Sequence, residues 1–309
     1  MVDRRLIYIL ICVAVLLVAL PMLSGSFLTD ALVLYLLYTG AAQVWGFMAR
    51  HAGLISLGQQ IFIGVGGYAT VVVTMYYGLP MWISVLAAGF FGAVLAAALS
   101  IPLLRFRGMY FAISTLLSAE VLKLFFNSWE FVGAGKGLIF KEAYGVTSTV
   151  IYYSALGVSL FTVFLLYFIY HSKLGFGLRA IGSDEDAAST VGVNTFYQKS
   201  LLFTVSSFVI ALIGALNAVN RTYLHPTAAF NISWTVDFVF IAVIGGIGRL
   251  VGPLIGGLVF ISLRYILAQY LGLSLLLEGL IVFTLLLVAP DGLWGFVTRK
   301  LKIKVRPPL

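Results

Sequence analysis

Apolar residues run along the chain in long blocks, separated by short stretches of charged residues, glycine and proline. Such blocks match helices that cross a bilayer, for which about 20 apolar residues suffice, rather than the period-two alternation of half-buried strands. Ten blocks stand out, at 6–23, 28–48, 56–76, 81–104, 108–127, 150–170, 199–219, 232–247, 250–268 and 274–290. The pattern predicts an all-α, polytopic integral membrane protein of about ten transmembrane helices, with residues 1–309 forming a single transmembrane domain. The block 6–23 follows Asp3-Arg4-Arg5 as a signal peptide would, but its apolar run is long and no clear small-x-small cleavage site follows it. It is therefore read as a span.

Composition agrees with the pattern. Of the 309 residues 61% are hydrophobic and 10% charged, where soluble domains carry about 25% charged residues. Nineteen Lys+Arg and 11 Asp+Glu are too few to coat a soluble particle of this size. The net charge of +8 would point to nucleic acid in a soluble chain. In a membrane chain it is read first as an orientation signal, since Lys and Arg are enriched in short cytoplasmic loops.

With the N-terminus inside and ten alternating spans, 14 of the 19 basic residues fall on the cytoplasmic side: Arg4, Arg5, Arg50, Arg105, Arg107, Lys173, Arg179, Lys199, Arg249, Arg299, Lys300, Lys302, Lys304 and Arg306. Lys136, Lys141 and Arg221 fall outside, and Lys123 and Arg264 within spans. Both termini are thus expected in the cytoplasm. The aromatic residues near span ends, such as Tyr76-Tyr77 and Tyr152-Tyr153, read as interfacial anchors. The single cysteine, Cys12, excludes an intrachain disulfide and a cysteine-built metal site.

Two connections are long enough to carry function. The outer one, 128–149, contains the glycine-rich Phe131–Leu138, a candidate docking or gating surface. Its Gly135-Lys136 is not a phosphate loop. GxxxxGK[ST] would need glycine where Glu130 stands and Ser or Thr where Gly137 stands. The chain is therefore expected to hold no nucleotide, and no other cofactor or metal is called for.

The inner connection, 171–198, is the most polar stretch and reads as two short surface helices. Ser183-Asp184-Glu185-Asp186 fits a helix start, with the Ser183 hydroxyl at the N-cap and acids in the first turn, where the helix dipole favours them. Gly192 would end that helix, since glycine tolerates the left-handed conformation. Ala187 and Ala188 keep one face small, open to close approach by another protein. The plain alternative is a solvated loop helix with no partner.

Arg179-Ala180-Ile181, then Asp184-Glu185-Asp186-Ala187-Ala188, then Gly192-Val193-Asn194 resembles the cytoplasmic coupling segment of the branched-chain amino acid ABC importer permeases of the LivM type. Three further stretches agree. Ile55-Ser56-Leu57-Gly58-Gln59-Gln60-Ile61-Phe62-Ile63-Gly64-Val65-Gly66-Gly67-Tyr68 is similar to the family's SLG…F…G.G.Y stretch, with Gln59 where the family often has histidine. Leu104–Ile113 resembles its LRLRGxYFA segment, and Val243–Pro253 its GGxGxxxGP segment. The resemblance covers most of 45–295. It implies a permease that pairs with a second homologous permease or with itself, two cytoplasmic ATPases that hydrolyse the ATP, and an extracytoplasmic solute-binding protein. It also implies that Arg179, Ala180, Ile181, Ser183, Asp184, Glu185, Asp186, Ala187, Ala188 and Gly192 couple the spans to an ATPase, and that the chain is not itself an enzyme.

Within the spans, glycine gathers at Gly58, Gly64, Gly66 and Gly67 and again at Gly245, Gly246, Gly248, Gly252 and Gly256. Close helix packing is one reading. Broken helices that line a solute pathway are the other, favoured at Gly252 by the adjacent Pro253. Charges at depth are few: Glu120, Lys123, Asp237, Arg264 and Glu278. Glu120 and Lys123 stand three apart and are expected to pair on one helix face, while Asp237 either lines the pathway or reaches the interface.

Rival classes are weaker. His51, His171 and His225 are scattered, and no HExxH or GxSG pattern supplies an intramembrane enzyme. A secondary carrier or channel would not need the capped segment 183–192. A related ABC permease for urea or another small polar solute is not separated from an amino acid permease by the sequence. The expectation is a multi-pass subunit in the cell membrane, with no role for nucleic acid.

Overall fold

The computed structural model describes residues 25–267, 274–288 and 292–300, together with Val18 and Pro21. The described residues are mostly helix: α1 (Ser26–Ala52), α2 (Gln60–Tyr77), α3 (Met81–Leu103), α4 (Met109–Ser128), α5 (Ser148–His171), α6 (Lys173–Ser183), α7 (Glu185–Thr190), α8 (Thr195–Arg221), α9 (Pro226–Ala229), α10 (Ser233–Gly245), α11 (Gly252–Leu267), α12 (Ser274–Val288) and α13 (Gly292–Lys300). Seven segments of the described residues are long and apolar enough to cross a membrane: α1 from Phe27, α2, α3, α4, α5, α8, and Pro226–Gly245, which joins α9 and α10. The predicted blocks at 250–268 and 274–290 correspond to α11 and α12, described over 16 and 15 residues. The block at 6–23, apart from Val18 and Pro21, lies outside the described residues, as do Cys12 and the basic residues beyond Lys300.

Helices α1 and α8 form the centre. In each, 83% of the apolar window is buried, against 28% in α4, which sits at the periphery. Around α8 pack α2 and α3, and around α1 pack α5, α10 and α11. The crossing of α2 and α8 is set by glycine. A Cβ on Gly66 would overlap the Ala211 carbonyl, and one on Gly214 would overlap that of Ile63, so the two backbones touch. Neighbouring Gly64 receives the edge of the Phe230 ring. Close approach of this kind replaces the hydrophobic drive that lipid does not supply.

The two ends of the bundle are distinct. One gathers the end of α1, the 104–108 turn, α6 and α7, and the 246–251 turn, because Gly182 packs on the Arg50 and His51 carbonyls and Gly248 on the Arg50 side chain. This end carries Arg50, Arg105, Arg107, Lys173, Arg179, Lys199 and Arg249, and is the basic end. At the opposite end a two-residue strand β1 (Leu138–Ile139) pairs antiparallel with β2 (Tyr223–Leu224). Tyr223 and Tyr76 hydroxyls donate to the Lys136 and Phe131 carbonyls, at 2.9 and 3.1 Å, so the glycine-rich loop is tied down over the ends of α2 and α8.

Candidate functional site

At the basic end the chain turns sharply from α5 into α6. Ser172 caps α6 by accepting from the Gly175 N–H, and a Cβ on Gly175 would overlap the carbonyls of Ile169 and Tyr170. Arg179 then locks the corner. It donates to the Tyr170 carbonyl at 2.7 Å, and its guanidinium lies 4.2 Å from the Tyr170 ring centre and 4.5 Å from that of Phe176. Ile181 and Leu178 are buried beneath α6, so Arg179, Leu178 and Ile181 hold the helix in place, with Ala180 half-buried between them.

Helix α7 follows after a single extended residue. Its N-cap is Asp184 and not Ser183: the Asp184 carboxylate accepts from the N–H groups of Asp186 and Ala187, at 2.9 and 3.0 Å. Ser183 instead closes the last turn of α6, donating to the Arg179 carbonyl, which removes its hydroxyl from the cap. Gly192, with φ +89°, follows the end of the helix. The two alanines part company. Ala188 is buried against its own chain, whereas Ala187 faces outward, so only Ala187 presents a small surface to a partner.

The acids of α7 are partnered by residues that the local pattern does not reveal. Glu185 accepts from Lys199 at 2.5 Å, near the start of α8, and lies 3.8 Å from Arg107. Asp186 accepts from Arg107 at 2.8 Å, on the turn before α4. The two carboxylates raise the pKa of Arg107 further, first through the hydrogen bond that Arg107 donates to Asp186. Thus α7 is braced to both α4 and α8. Its free surface carries Asp184, Ala187, Ser189, Thr190 and the strongly exposed Val191.

Inside the span region the two charged pairs differ. Asp237 on α10 is buried and accepts from Arg264 on α11 at 2.7 Å. Arg264 also donates to the Tyr38 hydroxyl at 3.3 Å and sits over its ring, which stacks on Trp234. This pair ties three helices together within the fold. Glu120 and Lys123 pair at 2.5 Å on α4, with 54% and 26% of their side chains exposed. Glu120 faces away from the chain, and Lys123 lies half-buried beside it. The Glu278 side chain lies outside the described residues.

The glycine stretches meet backbone. Gly58 abuts the Thr115 carbonyl and Gly67 the Leu224 side chain. Gln59 is fully buried, and its amide has no hydrogen-bond partner among the described residues, while Gln60 pairs with Thr235. Gly245 and Gly252 pack on one another, and Gly256 packs on the Ile241 carbonyl, so α10 and α11 form a tight hairpin. Positive φ at Gly246 and Gly248 turns the chain between them, and Pro253 sits in the first turn of α11. Gln43 of α1 donates to the Leu250 carbonyl at 2.7 Å and holds this turn in place. Among the described residues no group of three or more His, Cys, Asp and Glu is placed to hold a metal ion.

Residues 27–290 match the family described as branched-chain amino acid transport system / permease component. The chain is 25% identical to the high-affinity branched-chain amino acid transport system permease protein LivM of Escherichia coli (strain K12), covering 96% of this chain and 76% of that protein. It is 25% identical to the LivH permease protein of the corresponding system in Salmonella typhimurium, over 84% of this chain and 90% of LivH. A shorter likeness, 28% identical over 30% of each chain, links it to the ribose import permease protein RbsC of E. coli. No solved structure matches it.

Proposed function

Since the chain belongs to the branched-chain amino acid transport permease family, a family of multi-pass proteins of the cell membrane, we propose that it is the translocation subunit of an ATP-driven importer for a branched-chain or related amino acid. In this reading the basic end lies in the cytoplasm, which the enrichment of Lys and Arg at that end supports. A second permease, homologous or identical, completes the pathway. Two ATPase subunits bind and hydrolyse the ATP, and a solute-binding protein delivers cargo to the opposite end, against the loop held by β1 and β2. This chain then performs no chemistry of its own.

One observation supports the coupling role above the others: α7 is short, capped, exposed on one side and fastened on the other to the starts of two spans, through Arg107 and Lys199. A rigid helix so fastened passes a push from an ATPase to α4 and α8, as coupled rigid-body motion between packed states requires. A solvated loop helix would need no such bracing.

The test is to purify the tagged chain from its native membrane in mild detergent, identify what accompanies it, and measure uptake in proteoliposomes. Stoichiometric ATPase subunits with ATP-dependent leucine uptake support the importer. A chain recovered alone and active on an ion gradient would make it a secondary carrier. Uptake of urea in place of leucine would keep the machine and change the cargo.

A further inference from the structure

Helix α4 is the least embedded of the long helices, contacting α2, α3, α9 and the turn at 134–136. Its inner face, with Phe111, Ala112, Thr115, Ala119 and Phe126, is buried. The opposite face shows Ile113, Leu117, Val121, Leu124 and Glu120. At 1.5 Å rise per residue, Glu120 stands ~17 Å from one end of α4 and ~12 Å from the other. Lys123 is one turn further on. Glu120 therefore lies well inside a hydrocarbon layer of ~30 Å, and Lys123 stands ~8 Å from the nearer end of the helix. Nearby hydroxyls do not soften this placement, because Ser114 and Ser118 donate to the carbonyls of Tyr110 and Ser114.

A carboxylate more than half exposed at mid-depth, even one paired with a lysine, cannot face acyl chains without large cost. Such residues turn to the bundle interior or to a water-bearing cavity. Its own bundle lies on the other side of α4. We propose that this face of α4 looks across the translocation pathway toward the second permease, and that Glu120 and Lys123 are the groups that bind the two charges of a zwitterionic amino acid in transit. This rests on the importer reading above. Glu120 accepts from the cargo ammonium and Lys123 donates to its carboxylate, so one internal ion pair is exchanged for two with no net charge added. Leu117, Val121 and Leu124 beside the pair offer an aliphatic wall for the cargo side chain. An uncharged solute such as urea could not open the pair on these terms.

The test uses the complete complex in proteoliposomes, with ATP inside and the solute-binding protein and radiolabelled L-leucine outside. Glu120→Gln and Lys123→Met should each lower leucine uptake at least tenfold, with the yield of assembled complex unchanged. The double variant E120L/K123L guards against a structural role, because against lipid it would be favourable. Assembly at wild-type yield with uptake lost supports the site; retained uptake, or failure to assemble, overturns it. If the wild-type complex takes up no leucine, the importer reading and this one fall together. Wild-type uptake that the single variants leave intact overturns the pair alone.

Discussion

Arg107, on the turn that precedes α4, donates to the Asp186 carboxylate of α7 at 2.8 Å. The two residues are 79 positions apart, and this contact is what joins the short helix to the span that carries Glu120. Exposed ion pairs add little to stability because water and salt screen them. Arg107→Gln should therefore leave the melting temperature of the complex unchanged. What it should lose is transmission: leucine taken up per ATP hydrolysed is expected to fall several-fold. Equal coupling in the variant and the wild type would remove Arg107 from the transmission path.

Lys199 is a different case, since only 10% of its side chain is exposed and Glu185 is its partner at 2.5 Å. Lys199→Met leaves the Glu185 carboxylate partly buried with a distant Arg107, at a cost of about 1–3 kcal/mol. Glu185→Gln should be milder, because the amide oxygen still accepts from the ammonium. Thermal unfolding of the purified complex should rank wild type, E185Q and K199M in that order.

How far the sequence carries is visible at α7 itself. The acids in the first turn and Gly192 at the end place the helix, because capping is a local matter of neighbouring residues. The cap residue is misassigned by one position: Ser183 had an equally local alternative, the Arg179 carbonyl one turn back, and it took that. Arg107 and Lys199 are invisible to such reasoning, since their pairing with α7 depends on how distant spans pack. The same holds in the membrane. The Glu120–Lys123 pair follows from i,i+3 spacing on one helix, whereas the Asp237–Arg264 pair needed the hairpin of α10 and α11 to bring the two together.

Asp184 should matter more than Ser183. Asp184→Ala removes an acceptor for two helix N–H groups and should cost about 0.5–2 kcal/mol, seen as faster proteolysis or hydrogen exchange in 184–192. Ser183→Ala should change neither. Probing the docking face calls for Ala187, which is exposed, and not Ala188, whose enlargement would disturb the chain's own packing. Ala187→Trp is expected to reduce ATPase recovery while leaving the permease folded.

Gly66 and Gly157 make a matched pair of helical glycines. A Cβ at Gly66 would meet the Ala211 backbone, and one at Gly157 would meet nothing within 4 Å. Overpacking a tight contact costs about 1–3 kcal/mol or more, and here the obstacle is a carbonyl that no rotamer change removes. Gly66→Ala should lower the unfolding temperature and the yield of folded protein. Gly157→Ala should be neutral or slightly stabilising, through helix propensity.

Gln59 sits in the non-helical stretch before α2, wholly buried, with neither amide atom bonded among the described residues. A buried amide without partners carries a desolvation penalty of about 1–3 kcal/mol. Glutamine at such a site destabilises the subunit, and a leucine of similar length has no hydrogen bond to lose. Gln59→Leu should therefore raise the unfolding temperature of the purified complex. Leucine uptake by the same variant separates two roles for the amide. Unchanged uptake would make Gln59 a tolerated defect of packing. Lower uptake in a more stable complex would instead mean that its polar atoms serve a step of the transport cycle, with stability given up for that use, as stability and activity commonly oppose one another at working sites.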